Sequence, residues 1–311
     1  MAEYLVFASE GYAYLENKLV SLIADAEHGL IEKKTFPDGE IYHRILSEIQ
    51  DRDIIFIIDT STEQATINGY DVACAMVKYG ANSLILVMPY FAYSTMERAI
   101  KQGEVVKAKT RARLFSNIPQ APKGNHIILI DLHAEGIPHY FENDVICTHL
   151  YAKPVIIEAI KEFGGEDFIL ASTDAGRAKW VESLASEMHS PSAFVYKTRL
   201  SGSETKITGI NASVQGKTVV IYDDMIRTGS SLVNAAKAYL EHGAKEIYAV
   251  ATHLILPEGS LEKIQQSQTI KNIAGTNTHP NSQKYIASDF LKVHDVSSLI
   301  ATAIQKKTKI A

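Results

Sequence analysis

The sequence predicts an α/β fold with two domains, each a parallel sheet flanked by helices. Three observations carry that expectation. The stretch Val219 to Leu232 reads as a short β-branched strand, an acidic pair, a hydroxyl-rich turn and the start of a helix. Elsewhere, short and nearly continuous apolar runs alternate with helical stretches, the pattern of strands buried on both faces of a parallel sheet. The alternation then begins again past residue 145, and 311 residues give room for two cores.

The elements follow in order. Tyr4–Ala8 reads as a first strand and Tyr14–Ala24 as a helix. Phe36-Pro37-Asp38-Gly39-Glu40 carries turn chemistry, because Pro presets φ and Gly accepts a positive φ. Ile54–Ile58 is a strand, Asn68–Tyr79 a helix and Ser83–Met88 a further buried strand. From Arg98 to Arg113 the basic residues read as a solvated helix face, and Ile127–Ile130 is a strand closed by Asp131-Leu132-His133. In the second half, 155–163 and 177–188 read as helices, and 168–172 and 193–197 as strands. Strands at 219–222 and 247–252 flank a helix near 232–240, with Gly243 as its C-terminal stop. The boundary is placed at 145, giving domains 1–145 and 146–311. The last helix, 296–306, is a candidate to pack back on the first domain.

Composition bounds the function. Hydrophobic residues make up 46% and charged residues 22%, ordinary for a globular chain. A formal net charge of −5 argues against a nucleic-acid surface, so phosphorylated ligands must be held by local basic groups or a metal. No apolar run is long enough to span a bilayer, so no membrane partner is expected. The first residues lack a signal-peptide pattern, and Cys74 and Cys147 have no ligand spacing, which fits a cytoplasmic setting.

Chemistry concentrates at strand ends. Asp223 and Asp224 close one strand, and Thr228-Gly229-Ser230-Ser231 opens the next helix. Backbone N–H groups, hydroxyls and the helix dipole suit a phosphate there. Carboxylates beside a phosphate make sense if they hold ribose hydroxyls or lie near a divalent cation. A plain connection would need one capping hydroxyl and no acidic pair. Thr173-Asp174-Ala175-Gly176 and Asp131-Leu132-His133 close two other strands. If the strand persists, His133 points to the same side as Asp131, a candidate metal or phosphate site. Lys197-Thr198-Arg199 precedes a polar Gly/Ser/Thr-rich stretch to 211, either a mobile flap whose closure brings positive charge onto a transferring group or a surface hairpin.

These motifs, in this order, resemble the ribose-phosphate pyrophosphokinases over nearly the whole chain. The resemblance implies two phosphoribosyltransferase-like domains and Mg²⁺-dependent transfer of the β,γ-diphosphoryl group of ATP to the anomeric hydroxyl of ribose 5-phosphate. Phe36, Asp38 and Glu40 match the adenine-binding loop that reaches a neighbouring subunit, which implies a homo-oligomer, dimer or hexamer. Arg98 matches the ATP-contacting arginine, and His133 the histidine that touches metal–ATP. Asp174 matches the pyrophosphate-side loop and, with His133, is the candidate metal contact. Lys197 and Arg199 match the catalytic pair. Asp223, Asp224, Thr228, Gly229, Ser230 and Ser231 match the ribose-phosphate signature. Thr252-His253 and Thr276-Asn277 also fall in family-like places.

The acceptor side departs from the family pattern. Arg177 stands where Gly is common, Trp180 where a basic residue is common and Arg227 where Asp is common. On the ATP side, Thr95-Met96-Glu97-Arg98 has one arginine fewer than the usual run. An alternative acceptor is therefore a larger 5-phosphorylated ribose such as ADP-ribose, with a second phosphate for an arginine and an adenine for Trp180. A phosphoribosyltransferase would share Asp223–Ser231 but would not need Lys197 and Arg199. A non-catalytic partner subunit would be expected to lose charged groups that this chain keeps.

Overall fold

Short buried strands and their intervening helices set the layout of both halves. The computed structural model describes residues 3–201 and 204–308, and the side chains of 197–208 and 307–308 lie outside the described residues. The chain divides into two units, Met1–Tyr151 with Ser297–Ala311, and Ala152–Val296. The division falls after Tyr151 rather than at 145. The reason is that Ile146–Leu150 pairs with Asn125–Ile130 and so belongs to the first sheet.

The first unit contains β1 (Tyr4–Ala8), α1 (Ala13–Leu22), β2 (Ala26–His28), β3 (Ile31–Thr35), β4 (Ile41–Ile45) and β5 (Asp53–Ile57). It continues with α2 (Glu63–Lys78), β6 (Ser83–Met88), α3 (Lys107–Ser116), β7 (Asn125–Ile130) and β8 (Ile146–Leu150). Its sheet is parallel throughout, in the order β2-β1-β5-β6-β7-β8. Phe7, Ile54, Phe56, Leu84, Leu86, Ile127 and Leu129 fill one core beneath it. β3 and β4 form a separate antiparallel hairpin.

Two expectations for this half change. Helix α2 starts at Glu63, earlier than Asn68, because the Thr62 hydroxyl accepts the Ala65 N–H at 3.1 Å and caps it. The basic stretch is not one solvated helix face. Gly103 has φ +90 and Glu104 binds the backbone N–H groups of Ile100 and Lys101, so the chain turns there and only Lys107–Ser116 is helical.

The second unit contains α4 (Lys153–Gly164), β9 (Phe168–Ser172), α5 (Ala178–Glu187), β10 (Ser192–Ser201), β11 (Glu204–Ile210) and β12 (Thr218–Ile226). Then follow α6 (Ser230–Glu241), β13 (Glu246–Leu254), α7 (Ser260–Gln266), β14 (Ile273–Thr276) and β15 (Leu291–His294). The sheet order is β11-β10-β9-β12-β13-β14-β15, parallel except for the β10–β11 pair. Val219, Ile221, Ala249, Ala251, Tyr239 and Leu261 pack in its core. The final helix, α8 (Ser297–Thr308), belongs to the first unit, where Gln305 donates to the carbonyl of Leu22 at the end of α1.

The acidic pair does not close its strand. β12 runs on to Ile226 because β13 extends to Leu254 and keeps supplying partners, Asp223 opposite Ala251 and Ile226 opposite Leu254. On its other side β9 stops at Ser172, opposite Tyr222. Asp223 and Asp224 therefore sit where one neighbouring strand has ended, and the loop after β9 takes its place.

Candidate functional site

In the second unit, the chain leaves β9 toward β10 on one side and β12 toward β13 on the other. This is the switch point at which open parallel sheets hold ligands. Thr173 Oγ1 donates to Asp223 Oδ2 at 3.0 Å, joining the loop after β9 to the acidic pair. Asp174 Oδ1 accepts the Gly176 N–H at 2.9 Å and caps the one-turn helix 175–177. Arg177 forms an ion pair with buried Asp224. Asp223 Oδ1 accepts the Asp224 N–H at 3.0 Å. Burial, and next the charge of Asp224, push the Asp223 carboxyl up to about 7, partly offset by Thr173 and Arg177.

Downstream, Gly229 has φ +74 and passes the chain into α6 at Ser230. Arg227, Thr228, Ser230 and Ser231 are exposed, and Thr228 Oγ1 lies 3.3 Å from Ser230 Oγ. Exposed hydroxyls at the N-terminus of a twelve-residue helix offer an anion both donors and a dipole. Trp180 stacks on Tyr222, with ring centroids 4.1 Å apart and an interplanar angle of 17°. Arg177 and Trp180, the candidate contacts for a larger acceptor, each have a partner on β12.

Thr252-His253 and Thr276-Asn277 fall in a buried polar lattice. Thr276 and Thr278 hydroxyls both donate to the Thr252 carbonyl, at 2.7 and 3.1 Å, and His253 Nδ1 lies 2.8 Å from Thr278 Oγ1. Thr252 Oγ1 also lies 3.1 Å from Tyr222 OH. Burial pushes the nearby His279 ring down to about 3, so it is neutral and accepts the Asn281 N–H. Thr278 and His279 carried no signal of their own in the sequence, while Thr173 stood out only within the Thr173–Gly176 strand end and Tyr222 only as a strand residue. Only strand register brings them beside the recognised motifs.

In the first unit, Phe36, Asp38 and Glu40 form the tip of the β3–β4 hairpin. The Phe36 N–H donates to the Glu40 carbonyl at 2.8 Å, and Asp38 Oδ1 accepts the Glu40 N–H at 3.1 Å. Phe36 is 47% exposed and meets Tyr42 edge-on at 6.3 Å. Arg98 is exposed beside Glu97, at 3.3 Å. Tyr93, with φ +63, donates to Glu63 at 2.7 Å, and Lys107 and Arg111 pair with the same carboxylate while facing the Tyr93 ring. His133 is half-buried beyond β7. Strand geometry does not persist to it, because β7 ends at Ile130 and Asp131 takes φ +38, so the alternation that placed Asp131 and His133 on one side fails.

Lys197 and Arg199 lie on β10, paired through the backbone with Ile207 and Thr205 of β11. Their side chains lie outside the described residues. Among the described residues no three His, Cys, Asp or Glu side chains form a metal cluster. Mg²⁺ needs none, since it keeps waters and takes one or two carboxylates plus substrate phosphates. Both cysteines are unbridged, and no described helix is long and apolar enough to cross a membrane.

Residues 4–118 match the family model for the N-terminal domain of ribose phosphate pyrophosphokinase, and residues 190–309 match the phosphoribosyl synthetase-associated domain. A ribose-phosphate pyrophosphokinase from Saccharolobus solfataricus is 32% identical over 278 residues, covering 88% of this chain and 91% of the relative. This chain belongs to the ribose-phosphate pyrophosphokinase family. A Fusobacterium nucleatum ribose-phosphate pyrophosphokinase is 28% identical over 310 residues, covering 97% of this chain and 94% of its own. The phosphoribosylpyrophosphate synthetase of Mycobacterium smegmatis superposes with a TM-score of 0.87 at 23% identity, covering 99% of this chain and all of its own, and shows the same fold. The chain is thus a pyrophosphokinase-type transferase built from two phosphoribosyltransferase-like domains.

Proposed function

We propose that this pyrophosphokinase transfers the β,γ-diphosphoryl group of ATP to the anomeric hydroxyl of ribose 5-phosphate. The supporting observation is the junction of Thr173, Asp223 and the Thr228–Ser231 turn at one switch point, with a carboxylate joined to the neighbouring loop at 3.0 Å. Asp223 and Asp224 hold the ribose hydroxyls, and Thr228, Gly229, Ser230 and Ser231 hold the 5-phosphate. The anomeric oxygen attacks the β-phosphorus in line. The bond from that phosphorus to the oxygen bridging the α-phosphorus breaks, AMP leaves, and the hydroxyl proton passes to solvent. Lys197 and Arg199 stabilise charge on the transferring group.

Phe36, Asp38, Glu40, Arg98 and His133 hold ATP, the first three reaching a neighbouring copy from the exposed hairpin tip, so a dimer or hexamer is the working assembly. Asp174 and His133 would each contact Mg²⁺ carried on the substrate phosphates, and the ion would supply charge neutralisation when bound. Unbridged Cys74 and Cys147 fit a cytoplasmic setting.

A second reading has one observation behind it. Arg227 is exposed immediately before the phosphate turn, where an acceptor with a second phosphate, such as ADP-ribose, would meet it. Arg177 and Trp180 support it less, since both have partners on β12. The test is AMP release from ATP–Mg²⁺ with each acceptor. Ribose 5-phosphate is expected to give the higher kcat/KM, and Lys197→Ala to lower kcat by at least about a hundredfold. Faster turnover with ADP-ribose would transfer the assignment to the second reading. Undiminished turnover by Lys197→Ala would remove the catalytic role of the β10 cations.

A further inference from the structure

Arg177 and Trp180 are separated by one helical turn. They engage Asp224 and Tyr222, which are two residues apart on β12. Side chains two apart on a strand share a face, so both contacts fall on the same side of the sheet. Asp224 retains 6% of its side-chain exposure and Arg177 20%, so the pair is largely withdrawn from solvent. Removing either partner of a buried ion pair leaves a costly lone charge. Asp223 instead takes the Thr173 hydroxyl and the Asp224 N–H. The two acidic residues are therefore inequivalent.

We propose that Arg177 is a positioning residue for the acceptor site: held against Asp224, it fixes that carboxylate and offsets the negative charge that would otherwise repel a sugar phosphate, so that the acidic pair can sit beside the phosphate turn. The inference rests on the reading of Asp223–Ser231 as a ribose-phosphate site. Asp224 precedes Thr228 by only four residues, so an uncompensated Asp224 would put a like charge close to an incoming phosphate dianion. The stack of Trp180 on Tyr222 fixes α5, which begins directly after Arg177, and the Tyr222–Thr252 contact ties that stack to β13. The two departures from the family pattern thus act together on the acidic pair.

The experiment uses the full chain with Arg177→Gln, which removes the charge, Arg177→Gly, which restores the residue common in the family, and Arg177→Lys, which keeps the charge. KM and kcat for ribose 5-phosphate are measured with ATP–Mg²⁺. Inorganic phosphate binding is measured by calorimetry without turnover. The Gln and Gly variants are expected to raise KM and weaken phosphate roughly tenfold, with kcat within about threefold, and Lys to recover most of the loss. Unchanged KM and phosphate affinity in Gln or Gly, even with a lower Tm, would reduce Arg177 to a fastener of helix to strand. A Lys variant as impaired as Gln would also overturn the charge argument. If the wild type fails to turn over ribose 5-phosphate, the acceptor reading falls. The phosphate titrations then judge Arg177 separately.

Discussion

Gly229 backs directly onto Ile264: a Cβ built on the glycine would lie 2.3 Å from the Ile264 side chain. Ile264 is fully buried on α7, so the neighbour has little room to retreat. Gly229 also has φ +74, which L side chains rarely adopt. The entry to α6 is therefore held by steric closeness as well as by backbone conformation.

Gly229→Ala is expected to destabilise the protein by about 1–3 kcal/mol and to weaken inorganic phosphate binding more than ATP binding. Urea unfolding and calorimetry read the two effects. Adding Ile264→Ala relieves the clash but not the backbone strain, so phosphate binding should return only in part. Full return would show that packing alone dictates a glycine here.

Asp223 imposes a pH dependence on the empty protein. Its carboxyl keeps a proton in the folded state from the ordinary value of 3.8 up to about 7, a range over which the unfolded chain has lost it. The folded state then binds more protons than the unfolded one, so this contribution to stability is full at acid pH and declines as pH rises through that window. Asp223→Asn should flatten the decline and, near pH 8, stabilise the empty protein by about 1–3 kcal/mol, discounted because the residue keeps some exposure. It should also cost most of the ribose 5-phosphate turnover. Denaturant midpoints between pH 4 and 8 test this, and parallel curves for the two proteins would refute it.

Glu63 gathers Tyr93, Lys107 and Arg111 around one carboxylate, and the Tyr93 hydroxyl and then Lys107 hold it below the usual carboxylate range. These contacts hold the start of α3 against the strained turn at Tyr93. Glu63→Ala should speed amide exchange over residues 93–106 and raise KM for ATP roughly threefold, since Arg98, proposed to hold ATP, lies in that segment. Unaltered exchange there would mean that the turn is held by its buried neighbours Tyr90, Phe91 and Ala92 instead.

Apolar runs such as Ile54–Ile57 and Val219–Tyr222 were legible as strands because burial on both faces favours an unbroken run of β-branched and aromatic residues. The Thr228–Ser231 turn was legible because the small, hydroxyl-bearing residues expected of a phosphate site stand next to one another along the chain. Less legible were the ends of elements. The Thr62 cap, the Gly103 break and the continuation of β12 to Ile226 each depend on a partner elsewhere, and for β12 that partner is β13, some thirty residues on.

What the sequence determined by itself was therefore the local chemistry: parallel sheets, an acidic pair ahead of a phosphate-type turn, and membership of a family whose motifs keep their order. The tertiary structure decided how that chemistry is apportioned. It set Arg177 against Asp224 and Thr173 against Asp223, and laid Trp180 on Tyr222. Charge pairing and stacking act through space over a few ångströms, so residues about fifty positions apart become partners only once β9 and β12 lie side by side and β9 ends first.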